Sequence, residues 1–301
     1  MIYTVTLNPA IDYVLNVRQF EAGRINRSEN EATFFGGKGI NVSLVLRELG
    51  MESVALGFVS GFTGKAIEQG IDEMGVKTDF VHAKTGFTRI NVKIRSGQET
   101  DVNGNGPEID GEEVEQLFGK LDKLTDGDTL VLAGSIPKSL SSDIYERVLS
   151  KLQGRRIRFV VDASKSLLVN SLKYSPFLIK PNTDELGEIF AVKINGRKDA
   201  VLYAHKLQQM GAKNVLVSMG GEGAVLLDEH GAEHFAPAIK GKVVNTVGAG
   251  DSMVAGFVAG YLKTDDYDYA LKLGTAAGSA TAFSVGLATK DDIDKLLGGM
   301  Q

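Results

Sequence analysis

The chain has 301 residues, of which 43% are hydrophobic and 24% are charged, and it contains no cysteine. This composition is typical of a soluble globular protein with a large buried core. The lack of cysteine excludes disulfides, thiolate metal sites and cysteine nucleophiles, and a formal net charge of −5 argues against general affinity for nucleic acid or anionic membranes.

No targeting signal or membrane span is predicted from the sequence. The first residues lack the basic start and compact apolar core of a signal peptide. The apolar stretch 270–289 is rich in Gly, Ser and Thr and contains Lys272, so a buried helix is favoured over a membrane span. The four histidines show no metal-ligand spacing on a helix. We therefore expect a cytoplasmic protein.

Short apolar strands alternate with helical patterns along most of the chain. Strands are predicted at 2–7, 53–59, 129–134, 158–164 and 177–182. The segment 39–50 is predicted to be a helix that ends at Gly50, and 214–237 is predicted to form hairpins at an antiparallel edge. Strands that are apolar on both faces and joined by helices indicate an α/β fold with a doubly wound, mostly parallel sheet flanked by helices.

Two segments, 12–35 and 87–103, alternate like strands and have no helix between the strands. In the second segment Ile90, Val92 and Ile94 share one face. Both are too short to be domains, so we expect a small half-exposed sheet beside a single domain that spans 1–301. Its apolar face must be buried on its own domain or on a second copy of the chain, which favours a lid and a homodimer contact.

Three common nucleotide-binding motifs do not occur in the sequence. None of its Gly-Lys pairs is followed by Ser or Thr, as a P-loop requires. No G-x-G-x-x-G dinucleotide fingerprint follows a strand, and no protein-kinase catalytic loop is present. A nucleotide site in this chain must therefore use another arrangement.

The segment "NTVGAGDS" at 245–252 places Gly248 and Gly250 directly before Asp251 and an apolar helical run. Closely spaced glycines let backbone N–H groups converge on an anion, and the positive end of the helix faces the same point. A carboxylate repels a bound phosphate, so a carboxylate at this position is expected only if it takes part in the reaction. Asp251 is therefore a candidate base for an attacking hydroxyl. The alternative, which this segment alone leaves open, is that Asp251 only caps the helix.

Two other segments combine polar groups with the start of a helix. In "GGKGIN" at 36–41, three glycines surround Lys38 just before Asn41, which is more than a tight turn requires. In "KPNTDE" at 180–185, Asn182 and Glu185 share a helix face and would hold Mg²⁺ through water. For this last segment alone, an ordinary capping arrangement is the favoured alternative.

Taken together, these motifs resemble those of a known family. "GGKGINV" and "NTVGAGDS", in this order, are similar to the two signature motifs of the ribokinase-like sugar kinases, the phosphofructokinase B group. "TLNPAID", "TRINVKI", "LAGSIP", "KPNTDE" and "VSMGGEGA" fall where that family has matching elements, so the resemblance spans the chain. It is greatest to members that phosphorylate fructose 1-phosphate, and kinases of tagatose 6-phosphate are a sibling group.

The resemblance implies transfer of the γ-phosphoryl group of ATP, with Mg²⁺, to a hydroxyl of a phosphosugar. Asp251 would be the base, and the amides of Gly248, Ala249 and Gly250 would form an anion hole for developing charge. Asp12 would contact a sugar hydroxyl.

The remaining implied contacts divide between the two substrates. Those to the sugar phosphate are Arg24, Gly37, Lys38, Asn41, Arg89 and Ser135, with Arg27 as a further basic candidate. Those to ATP are Lys180, Asn182, Ser218, Gly220, Gly221, Gly223, Thr246 and Gly248. The adenine would lie against the small residues at 275–283, which otherwise serve only close packing, and Asp162 would support the metal site or cap a helix.

Two other classes of function remain as alternatives. A nucleotide-binding regulator without catalysis would not need Asp251, and a dehydrogenase is disfavoured by the missing fingerprint. Within the kinase class, fructose 1-phosphate, tagatose 6-phosphate and fructose 6-phosphate differ in the phosphorylated end or in one hydroxyl. Sequence spacing does not place side chains finely enough to distinguish them.

Overall fold

The computed structural model describes residues 1–163 and 165–300, so Gln301 and Ser164, the last residue of the predicted strand 158–164, lie outside the described residues. The strands are β1 (Ile2–Thr6), β2 (Ala10–Asn16), β3 (Asn30–Gly36), β4 (Ser53–Val59), β5 (Lys77–Thr78), β6 (Val81–His82), β7 (Arg89–Ser96), β8 (Gln98–Asn103), β9 (Thr129–Ala133), β10 (Arg158–Asp162), β11 (Leu178–Ile179), β12 (Asn214–Ser218), β13 (Ala224–Leu227) and β14 (Glu233–Ala236). The helices are α1 (Lys38–Glu48), α2 (Gly61–Glu73), α3 (Gly111–Leu121), α4 (Ile144–Leu152), α5 (Lys165–Ser171), α6 (Thr183–Phe190), α7 (Gly196–Gln209), α8 (Ala249–Thr264), α9 (Tyr267–Ala282) and α10 (Lys290–Gly298).

The larger sheet runs in the order β14, β13, β12, β11, β10, β9, β1, β4, β5, with β6 paired to the end of β4. The strands from β12 to β5 are parallel, whereas β13 and β14 pair antiparallel at one edge, in the segment predicted to form hairpins. The predicted α/β class with a mostly parallel sheet flanked by helices is therefore confirmed.

Helices cover both faces of this sheet because its strands are apolar on both sides. Along β9, Leu130 and Leu132 face the core under α3 to α7, whereas Val131 and Ala133 face the core under α1, α8, α9 and α10. Helix α2 packs beside α1 over a third, smaller cluster. None of the helices in the two described ranges combines the length and the apolar character needed to cross a bilayer.

The smaller sheet has the order β3, β2, β7, β8 and comes from the two segments that the sequence analysis assigned to it. Strands β2 and β7 are parallel, and their register places Asp12 opposite Asn91 and Val14 opposite Lys93. Alternate residues of a strand share a face, so one face of this sheet is polar. Tyr13, which pairs with Val92, lies on the other, apolar face.

The smaller sheet is joined to the α/β domain at the carboxyl edge of the larger sheet. Strand β1 leads into β2 within three residues, and β3 leads through Gly37 into α1. The ring of Phe35 lies over Gly70 of α2, where an added Cβ would be 1.9 Å from Phe35 Cε2. The small sheet therefore stands over the edge where ligands bind in open α/β sheets.

Candidate active site

Asp251 lies in the first turn of α8, which begins directly after Gly248. Gly248 has φ 82°, a left-handed conformation that favours glycine, and an added Cβ would be 2.7 Å from Leu287. The Asp251 side chain is 5% exposed, and its Oδ2 accepts a hydrogen bond of 2.7 Å from Asn41 Nδ2. In the part of the chain that the structure describes, Asn41 is the hydrogen-bond partner of this carboxylate, and no amide of α8 is bonded to it.

The surroundings of Asp251 change its acidity. Burial and the negative charge of Asp162 raise its pKa to about 6, although the Asn41 hydrogen bond and the ammonium groups of Lys38 and Lys180 act in the opposite direction. A carboxylate with this pKa is mostly ionised at neutral pH and accepts a proton more readily than an ordinary one. Such a group is well matched to general base catalysis.

The amides at the start of α8 are the predicted members of an anion cradle. The N–H of Ala249 donates to the Thr246 carbonyl at 3.2 Å, so this predicted member of the cradle is already bonded. The N–H of Gly250 belongs to the first turn, where amides have no intrahelical acceptor. An added Cβ on Gly250 would be 3.0 Å from Lys180 Nζ. An ammonium group and the positive end of a helix thus converge, which favours an anion between them.

A buried ion cluster lies beside this cradle. Asp162 Oδ1, at the end of β10, is 3.3 Å from Lys38 Nζ and 3.4 Å from Lys180 Nζ. Burial acts to raise the pKa of Asp162, but the two ammonium groups hold it below its usual value. The carboxylates of Asp162, Asp251 and Glu185 in turn raise the pKa of Lys38 against the effect of its own burial.

The polar face of the small sheet carries the other predicted carboxylate. Asp12 Oδ1 accepts a hydrogen bond of 2.8 Å from Asn91 Nδ2, and Asn91 Oδ1 accepts one of 3.3 Å from the Gly104 N–H. Arg89 Nε donates to the Asn8 carbonyl at 3.2 Å. Asp12 is therefore held in place by a buried neighbour on the next strand.

Gly37, at the junction of β3 and α1, is required by close packing. It has φ 128°, and an added Cβ would be 2.5 Å from Thr6 Cγ2. Thr6 Oγ1 also accepts a hydrogen bond of 3.0 Å from the Ile40 N–H, which ties the start of α1 to the end of β1. This junction places Lys38 and Asn41 at the carboxyl edge of the large sheet.

A cavity of about 320 Å³ separates the small sheet from α1 and from the segment 285–289. Asp12 and Asn41 line it, as do Lys93 and Arg95 of β7. Its volume lies at the lower end of the range for small-molecule sites. The cavity thus brings two of the predicted sugar contacts, Asp12 and Asn41, together with two cations for which the sequence analysis assigned no role.

Asn91, Lys93 and Arg95 are the residues that the sequence analysis missed. Their signal was the two-residue alternation of β7, which places polar side chains on the face opposite Val92 and Ile94. The alternation shows that these residues share a face. It does not show that this face, rather than the apolar one, points toward the cleft.

Asn182 and Glu185 form a reciprocal cap at the start of α6. Asn182 Oδ1 accepts from the Glu185 N–H at 2.8 Å, and Glu185 Oε2 accepts from the Asn182 N–H at 2.9 Å. Within residues 1–163 and 165–300, no three or more His, Asp or Glu side chains group in a way that could hold a metal ion. The donors present fit a Mg²⁺ ion that keeps most of its water and is held mainly by substrate phosphates.

The remaining predicted nucleotide contacts follow β11, lie at the end of β12 and in the turn after it, or precede α8. The Ser218 N–H donates to the Pro181 carbonyl at 3.1 Å, so the end of β12 lies beside Asn182. Gly220, Gly221 and Gly223 form the turn into β13, and Thr246 precedes α8. Lys180 and Ser218 thus lie at the ends of two neighbouring strands, β11 and β12.

Four other predictions concern residues that the structure does not place in the cleft. Arg24 lies in the connection between β2 and β3, is 77% exposed, and has only Glu21 at 4.0 Å as an ion-pair partner among the described residues. Arg27 and Ser135 are also exposed. The small residues at 275–283 mostly pack against α8: an added Cβ on Gly278 would be 3.0 Å from the Ala249 carbonyl. Close packing, the alternative for that segment, is what the structure shows there.

Comparison with known proteins identifies the family. Residues 4–294 match the family model described as pfkB family carbohydrate kinase. The chain belongs to the pfkB family of carbohydrate kinases. Membership confirms the predicted family and enzyme class, an ATP-dependent sugar kinase, over the dehydrogenase alternative.

Individual relatives match over nearly the whole chain. A 1-phosphofructokinase of Bacillus subtilis is 47% identical over 99% of this chain and 97% of its own length. A D-tagatose-1-phosphate kinase of Bacillus licheniformis is 36% identical over 100% of this chain and 99% of its own length.

Two solved structures show the same fold. Escherichia coli phosphofructokinase-2 in complex with fructose-6-phosphate superposes with a TM-score of 0.92 at 28% identity, covering 99% of this chain and 98% of that chain. A ribokinase from Thermotoga maritima superposes with a TM-score of 0.81 at 20% identity, covering 99% of both chains. The pfkB chain described here therefore has the ribokinase-like fold.

Proposed function

We propose that this pfkB kinase transfers the γ-phosphoryl group of ATP to the free terminal hydroxyl of fructose 1-phosphate, giving ADP and fructose 1,6-bisphosphate. The observation that carries the proposal is the buried carboxylate of Asp251, beside the open amide of Gly250. Its Oδ2 accepts a hydrogen bond of 2.7 Å from Asn41 Nδ2. A base and an anion cradle at one helix start are what phosphoryl transfer requires. Similarity to a 1-phosphofructokinase at 47% identity supports the choice of sugar.

In the proposed reaction, the sugar hydroxyl oxygen attacks the γ-phosphorus and gives its proton to Asp251. The new bond joins this oxygen to the γ-phosphorus, and the bond from the γ-phosphorus to the β,γ-bridging oxygen breaks. The Gly250 amide, the positive end of α8 and the ammonium groups of Lys38 and Lys180 stabilise the charge on the transferred group. Phosphoryl transfer depends mainly on such positioning and neutralisation.

The sugar would lie between the small sheet and the start of α1. The carboxylate of Asp12, the amide of Asn41 and the backbone at Gly37 supply both acceptors and donors, which the hydroxyls of a sugar need. Its phosphate would be bound by basic residues of the same sheet face, Arg89 and Lys93. Each of them lies two residues from Asn91 along β7, which corresponds to about 6.8 Å.

The nucleotide would lie along the other strand ends. Its phosphates would contact Lys180, Asn182 and Thr246, with Ser218 and the glycine turn after it, Gly220, Gly221 and Gly223, lining the site. Magnesium, which neutralises charge on the nucleotide phosphates, would be held through water by Asn182 and Glu185.

A second candidate substrate is a tagatose phosphate, and the similarity to a D-tagatose-1-phosphate kinase at 36% identity favours testing it. The decisive measurement compares kcat/KM for fructose 1-phosphate, tagatose 1-phosphate, tagatose 6-phosphate and fructose 6-phosphate with ATP and Mg²⁺. We expect the highest value for fructose 1-phosphate. A higher value for any tagatose phosphate or for fructose 6-phosphate would contradict the proposed substrate, and no ADP release with any of them would contradict the proposed reaction.

We also propose that two copies of the chain associate through the small sheets. The face opposite Asp12 carries a row of apolar side chains: Ile11, Tyr13, Leu15, Ile90, Val92 and Ile94. All are partly exposed. A second copy is the proposed occupant because a two-fold interface brings the same patch of both chains together, and an exposed apolar row of this kind marks an interaction surface.

A further inference from the structure

Asp162 is a buried carboxylate with no assigned part in the proposed reaction. It is 1% exposed, and its Oδ1 faces two ammonium groups, those of Lys38 at 3.3 Å and Lys180 at 3.4 Å. Its Oδ2 is buried and has no hydrogen-bond partner among the described residues. A buried carboxylate with an unsatisfied oxygen is costly unless it has a further role.

The two lysines reach Asp162 from different elements. Lys38 is the first residue of α1, Lys180 follows β11, and Asp162 ends β10. Without a carboxylate between them, two ammonium groups this close would repel each other and turn toward solvent. Lys38 has room to do so because its side chain is 37% exposed.

Lys180 lies beside the cradle at the start of α8: its Nζ is 3.0 Å from the position that a Cβ on Gly250 would occupy. Both ammonium groups also act on the Asp251 carboxylate, which Asp162 opposes. The transferred phosphoryl group of the proposed reaction must pass between Asp251 and these cations.

We infer that Asp162 is a positioning residue for phosphoryl transfer: it holds the ammonium groups of Lys38 and Lys180 at the anion cradle of α8 without touching either substrate. The inference rests on the proposed function, since it assigns the cations to the transferred group. It differs from a helix-capping role because the observed partners of Asp162 Oδ1 are two lysine side chains.

The charges around Asp251 also predict the direction in which each neighbouring group shifts the pKa of Asp251, and with it the pH dependence of kcat/KM. The charged or titratable groups around Asp162 are Lys38, Lys180, Asp251 and Tyr145, and the hydroxyl of Tyr145 donates to the Gly134 carbonyl at 3.0 Å. Removing the negative charge of Asp162 by itself lowers the pKa of Asp251, whereas departure of the two ammonium groups raises it. Removing the charge of Lys38 raises it.

The test measures steady-state kinetics with fructose 1-phosphate and ATP over the pH range 5 to 8 for Asp162→Asn and Lys38→Met. We expect Asp162→Asn to lower kcat at least tenfold, with KM for the sugar within threefold. The acid limb of the kcat/KM profile of Lys38→Met should move to higher pH than in the wild type. If Asp162 acts through the lysines, Asp162→Asn should lower kcat by a smaller factor in the Lys38→Met background than in the wild type. A purely structural Asp162 would change the melting temperature and lower kcat by the same factor in both backgrounds.

The matched control is Asp128→Asn. Asp128 is another buried carboxylate paired with an ammonium group, that of the N-terminus at 2.8 Å, and lies at the amino end of β9, away from the cleft. We expect it to lower the melting temperature without moving the acid limb. If Asp162→Asn keeps wild-type kcat, or if it lowers kcat by the same factor with and without Lys38, the inference is wrong. Failure of the wild type to phosphorylate any sugar phosphate would instead overturn the proposed function.

Discussion

At the scale of single residues, the site concentrates opposite charges in a space that excludes water. Asp162 and Asp251 oppose Lys38 and Lys180, so the four formal charges cancel. Burying such groups is costly unless each has a partner. The raised pKa of Asp251 indicates that its partners do not fully offset the free-energy cost of burying its charge. Catalytic groups commonly lower the stability of the fold in this way.

The first prediction concerns Asp251→Asn. The pKa of Asp251 is raised from 3.8 to about 6. Its stabilising contribution to the free energy of unfolding is therefore largest below pH 3.8 and is lost as pH rises through 6. The ionised group therefore destabilises the fold at neutral pH, by on the order of 2–3 kcal/mol for a shift of about two units. We expect Asp251→Asn to unfold at higher denaturant concentration than the wild type at pH 8, while kcat falls by about 10²–10⁴.

The comparison at low pH serves as the control for this prediction. Near pH 4 the wild-type carboxyl is largely protonated, so the difference in unfolding free energy between the two proteins should shrink. Equal stability at pH 8, or a variant that keeps wild-type kcat, would contradict the assigned role. Urea unfolding at both pH values and a coupled assay for ADP release measure the two quantities.

The second prediction concerns Lys93→Gln. Lys93 is 16% exposed, lines the cleft, and pairs with Asp101 at 3.2 Å. A charge-assisted hydrogen bond to a phosphate contributes about 1.5–3 kcal/mol, so we expect KM for fructose 1-phosphate to rise about ten- to hundredfold with kcat nearly unchanged. The preference for this sugar over unphosphorylated fructose should fall by the same factor.

Lys120→Gln is the matched control for the Lys93 variant. Lys120 is 22% exposed and pairs with Asp79, far from the cleft, on α3. The Lys120→Gln variant should have the wild-type KM for fructose 1-phosphate. If Lys93→Gln also keeps the wild-type KM, the phosphate of the sugar is bound elsewhere, and Arg89 becomes the residue to test.

At the scale of elements, the small sheet is tied to the α/β domain by short chain connections and by packing against α2. Strand β1 continues into β2, and β3 continues into α1. Phe35 and Ile11 join the cluster under α2. Asp12 belongs to the small sheet and Asp251 to the α/β domain, so this attachment sets the width of the cleft.

The third prediction tests the attachment with Gly70→Ala. In an exposed helix interior, alanine stabilises by up to about 1 kcal/mol relative to glycine. At Gly70, however, the added Cβ would lie 1.9 Å from Phe35 Cε2, and relieving such a clash costs about 1–3 kcal/mol. We expect Gly70→Ala to lower the unfolding free energy and to raise KM for the sugar, because Phe35 must move with β3.

Gly119→Ala provides the matched comparison in α3. An added Cβ there meets nothing within 4 Å, so this variant should be more stable than the wild type by several tenths of a kcal/mol. Thermal unfolding of both variants gives opposite signs if the Phe35 contact matters. A stabilised Gly70→Ala protein would show that the contact does not hold the sheet.

At the scale of the whole molecule, the site exists because parallel strands end at one edge. Asp162 and Lys180 follow β10 and β11, Asn182 and Ser218 lie beside them, and the helices α1 and α8 begin at the same edge. The small sheet closes this edge with its polar face inward. Its apolar face then points away from the cleft: Ile11 and Phe35 pack against the cluster under α2, and the rest of the row is partly exposed.

The fourth prediction concerns that apolar face. Val92→Asp places a charge in the middle of the row, and burial of an unpaired charge in an interface is strongly unfavourable. We expect the wild type to have twice the mass of the chain in light scattering and Val92→Asp to have the mass of one chain. Leu202→Asp, at a 52% exposed position on α7, should behave as the wild type does. A wild type with the mass of one chain would overturn the proposed interface.

The sequence by itself determined the local features of this protein. Strands that are apolar on both faces specify a sheet covered by helices, because each face must be buried. The glycines at 248 and 250 predict a helix start suited to an anion, and Gly248 has the left-handed backbone that favours glycine. These properties belong to neighbouring residues, so they can be predicted without knowing the fold.

Only the tertiary structure decided which of these local features meet. It paired Asp251 with Asn41, which is 210 positions away, and placed Asp162 between two lysines from other elements. It also turned the face with Lys93 toward the cleft and left Arg24 exposed. Such contacts depend on strand order and on how the small sheet docks, and no local pattern of residues encodes either.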